Sequence, residues 1–371
     1  MTQRAGRAPI LVAAGGTGGH LFPAEALAAA LSQRGVSVHL ATDRRAARYG
    51  GALPEDAVHI ITSATLRGRN PIALAQTAVA LGIGLAQAWA LIGRLKPAAV
   101  IGFGGYPTVP PVLAAAWRGV PTLIHDANAV IGRANRLLAP RVTAVAITFP
   151  DVFRDAPELA AKATLTGNPV RPPVVAAAAT PYPASGDLLQ LLIFGGSQGA
   201  RIMADIVPAA VALLEPDVRT RLEVVQQARE EDVGRVRDTY ADISVAAEVA
   251  PFFADLPARM AASQLIVARS GASTVAELSA IGRPAILVPL PHALDQDQFA
   301  NAGVLKKAGG AIRLAQAEFT PGRLAAEIAA LAAAPQRLAA MAMAAKTVGR
   351  LDAADRLAEL VLKVAAAGAN K

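Results

Sequence analysis

The chain has 371 residues, 53% hydrophobic and only 4% aromatic, with no cysteine and a formal net charge of +8. The length favours two domains, each able to build a core. The composition excludes a disordered chain, and the missing cysteines exclude disulfides, thiolate nucleophiles and thiolate metal sites. The basic balance points to nucleic acid, an anionic membrane surface or anionic substrates, against the plain alternative of a solvated face. Basic residues are scattered, aromatics are few, and there is no zinc finger or RNA-binding sheet motif, so no nucleic acid is expected.

In chain order, Arg4 and Arg7 precede an apolar run too short for a signal peptide, so a cytoplasmic protein is expected. That run, residues 10–14, reads as a buried strand stopped by Gly15, Gly16, Gly18 and Gly19. A helix is predicted over residues 23–31, with Pro23 in its first turn, where a missing N–H costs nothing. Bare backbone at a helix start attracts phosphate. The stretches "VSVHLAT", "AAVIGFGG", "PTLIHD" and "VTAVAIT" continue the strand and helix alternation. Residues 72–93 carry no charge, long enough to raise the question of a transmembrane helix, but Gln76, Thr77, Gln87 and three glycines stand against spanning. At helical spacing Leu74, Leu81, Leu85 and Ile92 share one face, with Ile72, Val79 and Ile83 nearly opposite. One stripe can be buried and the other offered to lipid; a wholly buried helix is the alternative.

"GNPVRPPVV" at 167–175 marks the domain join, a segment expected to be non-helical through Pro169, Pro172 and Pro173. Strand, glycine loop and helix then recur in "LLQLLIFGGSQGARIMADIV", and "LEVVQQ", "SQLIVARSG" and "PAILVPLP" follow as strands. The fold class predicted is α/β: two Rossmann-like parallel-sheet domains whose strand ends would bracket a cleft. A dinucleotide site fails, because Leu21 stands where GxGxxG needs its third glycine. "RSGASTVAEL" reads as a Ser-Gly turn and a helix start facing phosphate, and the Glu277 carboxylate can accept two ribose hydroxyls or act only as a helix-dipole partner.

Taken in order, "GGTGGH", "GGYPTVP", "HDAN", "GNPVR", "GGSQGA", "RSGASTVAEL" and "HALDQDQFANA" resemble the MurG family of GT-B glycosyltransferases, glycosyltransferase family 28. The resemblance implies transfer of N-acetylglucosamine from UDP-GlcNAc to lipid I, giving lipid II, at the cytoplasmic face of the cell membrane. It implies an acceptor and membrane domain over 1–168, a UDP-GlcNAc domain over 169–348, and a last helix over 349–371 crossing back. Carried over by position, Thr17, Gly18 and Gly19 line the first loop, Asn128 approaches the sugar, and Arg171 and Ser197 meet the diphosphate. Ala272, Ser273, Thr274, Val275, Ala276 and Glu277 form a further cradle, Phe253 packs near the base, and Asp297 and Gln298 contact sugar hydroxyls. Where the family often has HEQN, this chain has "HDAN", so Asp126 is a methylene shorter and Ala127 lacks an amide.

The implied inverting displacement needs a base for the acceptor hydroxyl and stabilisation of the departing UDP. His20 is the first choice for the base and His125 the second, with Asp126 and Tyr106 as acceptor-side groups. Arg171, Ser197 and helix-start amides can meet the UDP charge, so no bound cofactor and no divalent metal is expected. "DQD" at 295–297 is read as a sugar-binding loop, with a cation site as its alternative. Arg67, Arg69, Arg133, Arg136 and Arg141 could pair with anionic headgroups beside the apolar stripe. Cell-wall and division proteins are the further partners implied. Another GT-B transferase, a UDP-GlcNAc epimerase, or a silent nucleotide-binding module are the competing readings.

Overall fold

The apolar runs become two parallel sheets in the computed structural model, which describes residues 8–16, 18–44, 54–63, 71–154, 156–183, 188–196, 199–291 and 293–369. The chain divides into two units, Met1–Arg171 with Asp352–Lys371, and Pro172–Leu351.

In the first unit, β1 (Ile10–Ala13), β2 (Val38–Thr42), β3 (Val58–Ile60), β4 (Ala99–Gly102), β5 (Thr122–Asp126), β6 (Ala144–Ile147) and β7 (Ala163–Leu165) form one sheet. Their order is β3-β2-β1-β4-β5-β6-β7. The helices between them are α1 (Gly18–Gln33), α2 (Pro71–Leu95), α3 (Val109–Trp117), α4 (Arg133–Leu138) and α5 (Pro157–Ala160). Alternate residues of β1 feed opposite cores, as the strand period requires. Ile10 and Val12 pack with Leu27 and Leu31 of α1, whereas Leu11 and Ala13 pack with Leu91, Ile92 and Val112. Burial on both faces explains why the strands read as continuous apolar runs.

The second unit opens with α6 (Pro172–Ala178) and carries β8 (Leu189–Phe194), α7 (Arg201–Ala212), α8 (Pro216–Arg219), β9 (Leu222–Gln227), α9 (Val233–Asp242) and β10 (Ala246–Ala250). It continues with α10 (Leu256–Ala262), β11 (Leu265–Ala268), α11 (Ala272–Ile281), β12 (Ala285–Leu287), α12 (Asp297–Ala308), β13 (Ala311–Arg313), α13 (Pro321–Ala332) and α14 (Pro335–Val348). Its sheet runs β10-β9-β8-β11-β12-β13. The last helix, α15 (Ala353–Ala369), belongs to the first unit, where Leu357 and Val361 enter the core of α1.

Each sheet therefore has a topological switch point, β1 against β4 and β8 against β11, where successive connections leave for opposite faces. Ligands of open α/β sheets bind at the carboxyl ends of the strands at such points. All four of those strands end in a glycine-bearing motif: Gly15 after β1, Gly104 after β4, Gly195 after β8 and Gly271 after β11.

Two expectations are corrected. Helix α1 begins at Gly18, not at Pro23, which lies inside it. The ring forfeits only the bond to the Gly19 carbonyl, close to the helix start, while Leu21, Ala24, Leu27 and Leu31 gain burial. Pro172 and Pro173 do not block a helix but start α6, since first-turn residues have no intrahelical N–H bond to lose.

Arg283, to which no motif assigns a role, is wholly buried. Its guanidinium donates to the carbonyls of Ala261, Ile281, Gly282, Thr180 and Pro181, tying the ends of α10 and α11 to the segment after α6. Burial lowers its pKa, but a guanidinium stays charged.

Candidate functional site

At the first switch point, His20 lies in the first turn of α1 and its ring rests on the loop after β4. A Cβ placed on Gly104 would come within 3.3 Å of His20 Cε1, and one on Gly105 within 3.3 Å of His20 Cδ2. Both glycines have positive φ, 87° and 73°. Glycine is thus required twice over in "GGYPTVP", for the backbone and for the imidazole seat. Burial lowers the His20 pKa, against which a hydrogen bond from the ring to the Phe103 carbonyl pulls upward. The ring is neutral at neutral pH, one nitrogen donating to Phe103 and the other carrying a lone pair. Tyr106 is half-buried one residue beyond that seat, and Gly15 abuts Pro107, where an added Cβ would fall 2.9 Å from the proline Cβ.

His125, at the end of β5, is fully buried and donates from Nε2 to the Gly167 carbonyl at 3.0 Å. Its pKa is lowered to about 4, chiefly by burial, with the Gly167 bond opposing and His20 adding a like charge. Asp126 is 2% exposed; its Oδ1 accepts the Asn128 N–H at 3.0 Å, and its Oδ2 accepts the Gly132 N–H at 2.9 Å and Asn135 Nδ2 at 3.0 Å. The Asn128 side chain also bonds it. Burial raises the Asp126 pKa and these donors restrain the rise. Asn128 itself is half-buried. Arg171 stacks on the Phe22 ring of α1 at 3.9 Å and reaches the field of Glu25, whose pKa burial raises. Gly18 is buried and Gly19 half-buried in the same helix turn. Thr17 and Ser197, with Arg67 and Arg69, lie outside the described residues.

In the second unit, Gly195 must be glycine because a Cβ there would collide with Ala200, and its N–H is taken by Gln227 Oε1 at 3.0 Å. Helix α11 starts directly after Gly271, and Ala272, Ser273, Thr274 and Ala276 of its first turns are half-buried. Val275 is wholly buried, its N–H given to the Gly271 carbonyl and its own carbonyl accepting Ser279 Oγ, so the UDP-GlcNAc contact expected of it is not offered by this residue. Glu277 is 6% exposed. Ser270 Oγ donates to the Gln298 carbonyl at 2.8 Å, bringing the first turn of α12 beside this turn; the expected sugar-binding loop is helical from Asp297 onward. The Gln298 Oε1 accepts the Leu290 N–H at 3.0 Å, and the Gln298 N–H donates to Asp297 Oδ1. Burial raises the Asp297 pKa, with Asp295 adding to it. Phe253 is buried beneath Arg259 at 4.4 Å, while the adjacent Phe252 is 69% exposed.

Sequence reasoning missed three residues that hold these loops. Arg269 donates to the carbonyls of Val288 and Pro289 and to Gln316 Oε1. Gln227 holds the glycine loop after β8, and Asn135 holds Asp126. The available signal was a polar residue on an otherwise buried face: Asn135 lies between Ala134 and Leu138 on α4.

On α2, Ala88, Leu91 and Ile92 are buried, whereas Val79, Ile83 and Trp89 are exposed at 62%, 49% and 43%. Trp117 of α3 is exposed too, and Arg118 lies over the Trp89 ring. Gly84 lets α2 close onto the Thr62 carbonyl, and Gln87 Oε1 accepts the Thr62 N–H. The two apolar stripes therefore separate as expected for Ile92 against Val79 and Ile83; the side chains of Ile72 and Leu74 lie outside the described residues. Among the described residues α2 alone is a single helix long and apolar enough to cross a membrane, and a bent pair formed by α13 with α14 and α15 passes only if counted as one span.

Two family models match, the glycosyltransferase family 28 N-terminal domain over residues 10–147 and the family 28 C-terminal domain over residues 190–357. A UDP-N-acetylglucosamine--N-acetylmuramyl-(pentapeptide) pyrophosphoryl-undecaprenol N-acetylglucosamine transferase of Rhodopseudomonas palustris (strain HaA2) is 64% identical, covering 96% of this chain and 98% of its own. One of the same name from Nitrobacter winogradskyi is 61% identical over 97% of this chain and 98% of its own. Among solved structures, Acinetobacter baumannii MurG superposes with a TM-score of 0.77 at 29% identity, covering 96% of this chain and 99% of that one. With both domain models matched in order and relatives this similar along nearly the whole length, the chain belongs to glycosyltransferase family 28, among the MurG-type enzymes.

Proposed function

We infer that this chain transfers N-acetylglucosamine from UDP-GlcNAc, with inversion, to the 4-hydroxyl of the MurNAc of undecaprenyl-pyrophosphoryl-MurNAc-pentapeptide (lipid I), giving lipid II for peptidoglycan. The observation that carries this reading is the 64% identity, over 96% of the chain, to an enzyme named for that transfer.

The donor sugar is α-linked, so one displacement from the opposite face inverts the anomeric carbon. The acceptor hydroxyl must lose a proton as the bond forms, and UDP must leave with its charge met. We assign the proton to His20. Its neutral state and the Phe103 bond, which fixes one ring nitrogen as donor, leave the other nitrogen to accept. His125 is the weaker choice, because its Nε2–H is committed to Gly167 and the ring is buried. Arg171, whose guanidinium carbon lies 3.9 Å from the Phe22 ring centroid, is assigned to the diphosphate together with helix-start amides. Glu277 is assigned to the ribose, and Asp297 and Gln298 to the sugar hydroxyls. Met this way, the leaving charge requires no protein-held cation, and the reading keeps "DQD" as a sugar loop.

The exposed Val79, Ile83, Trp89 and Trp117, flanked by Arg94 and Arg118, support peripheral attachment to an anionic membrane surface, where a polyprenyl-linked acceptor resides. The test is incubation of the full chain with UDP-GlcNAc and a lipid I analogue. A disaccharide-lipid product that forms equally in the presence of a chelator is expected; UDP release without that product would defeat the assignment. His20→Ala should lower kcat by about 100-fold or more with little change in donor affinity, and near-normal kcat would move the base elsewhere.

A further inference from the structure

Asn135 lies on α4, a six-residue helix outside every motif named above, yet it is only 2% exposed. Its Nδ2 donates twice, to the His125 carbonyl at 2.9 Å and to Asp126 Oδ2 at 3.0 Å. Asp126 in turn gathers the N–H groups of Asn128 and Gly132 and the Asn128 side chain. The loop from Asp126 to Gly132 is thereby closed around one buried carboxylate whose hydrogen-bond partners are all neutral donors. Such a carboxylate depends on every donor it has, because a buried charge that loses a hydrogen bond keeps its full desolvation cost.

The same amide nitrogen also touches the seat of the base. A Cβ on Gly104 would lie 3.4 Å from Asn135 Nδ2 and 3.3 Å from His20 Cε1, so Asn135 and His20 press on the same glycine. Three features of the carboxyl edge of the first sheet meet at this side chain: the end of β5, the Asn128 loop and the β4 turn.

We propose that Asn135 is a positioning residue for the transfer, holding Asn128 at the substrate through Asp126. Asp126 is on this account a clamp and not a reacting group. The proposal rests on the assignment of Asn128 to the substrate, and the experiment separates the two.

Asn135→Asp keeps the shape but sets a second carboxylate against Asp126. At about pH 8 kcat/KM should fall about tenfold or more. As pH is lowered toward about 6, the ratio of variant to wild type should recover, because one proton shared by the two carboxyls restores an O–H···O bond. Asn135→Ala should show a similar loss without that recovery, a contrast that a general loosening of the fold would not produce. Combined with Asn128→Ala, Asn135→Ala should add less than about twofold, the signature of two residues acting as one. The full chain is used, with tryptophan fluorescence to check that each variant is folded; if Asn135→Asp unfolds, the alanine pair carries the test. Independent, multiplying losses would overturn the clamp, as would Asn135→Ala within about twofold of wild type. An Asn128→Ala enzyme with unchanged kcat/KM would instead remove Asn128 from the substrate, and the proposal with it.

Discussion

Acidification should unfold the first unit earlier than the second, and His125 sets the size of the effect. Its imidazole is buried, donates Nε2–H to Gly167, and has its pKa lowered to about 4 from the ordinary 6.5. The unfolded chain therefore takes a proton near pH 6.5 that the folded chain refuses until about pH 4. A histidine depressed in the fold contributes stability that is complete above its unfolded pKa and is lost as pH falls through the interval below it. At about 1.4 kcal/mol per unit, the gap is worth about 3 kcal/mol. The measurement is urea unfolding at a series of pH values, followed by tryptophan fluorescence. Both tryptophans, Trp89 and Trp117, are in the first unit, so the signal isolates it from a two-unit chain that need not unfold in one step. Wild type and His125→Gln are compared, so that other groups titrating in the same range, His20 and Asp126 among them, cancel to first order. The wild-type curve should fall more steeply below pH 6.5, the two diverging by about 3 kcal/mol near pH 4. Parallel curves would show that His125 titrates normally, and the buried neutral imidazole would be wrong.

Gly104→Ala puts a methyl group against His20 at a backbone angle of 87°; it should cost about 1–3 kcal/mol in urea unfolding and lower kcat more than it raises the UDP-GlcNAc KM. Full activity would show that the seat does not position the base. Glu277→Ala should weaken UDP-GlcNAc binding about 10- to 100-fold by calorimetry, the worth of hydrogen bonds to a charged group; an unchanged Kd removes Glu277 from the ribose. Ile83→Glu, on the exposed side of α2, should reduce sedimentation with anionic phosphatidylglycerol vesicles while leaving kcat on a soluble acceptor analogue intact. Equal sedimentation of variant and wild type would place the membrane contact elsewhere.

The strands legible in the sequence are the interior ones, and the reason is burial. β1, β4, β6 and β11 are covered on both faces and present unbroken apolar runs, and β5 and β8 carry apolar stretches interrupted only by a few polar residues. β3, β7, β10 and β13, which the alternation does not predict, are the four edge strands. Each has half-exposed or exposed positions, such as Ile60 at 44%, and three of them are only three residues long. An edge strand has one neighbour and one open side, so its residues need not be apolar, and periodicity has nothing to register. The two proline corrections share a cause of another kind: Pro172 lies in a first turn and Pro23 one turn further in, where tertiary burial outweighs one lost bond.

The site was legible to the extent that its chemistry is carried by backbone and by residue type. Glycine runs after β1, β4, β8 and β11 announce close approach, and Glu277 and Arg171 announce charge at fixed motif positions. What the sequence could not express is which side chains are spent inside the protein. Asp126 and His125 stand in "HDAN" as an acid and a base, and composition alone makes them a reacting pair. In the fold both face inward, one consumed by three N–H donors and an amide side chain, the other by a carbonyl 42 residues away. His20 differs from them in one respect: the residue is partly exposed, and its ring is seated on two glycines instead of within the core. A group that must exchange a proton with a substrate has to keep one lone pair outside the protein's own hydrogen bonds. His125 Nδ1 also lacks a hydrogen-bond partner, but its ring is fully buried, and Asp126 is occupied; of the three, His20 joins an uncommitted nitrogen to partial exposure, which is why the division into one base and two positioning groups follows from the contacts and not from the motif.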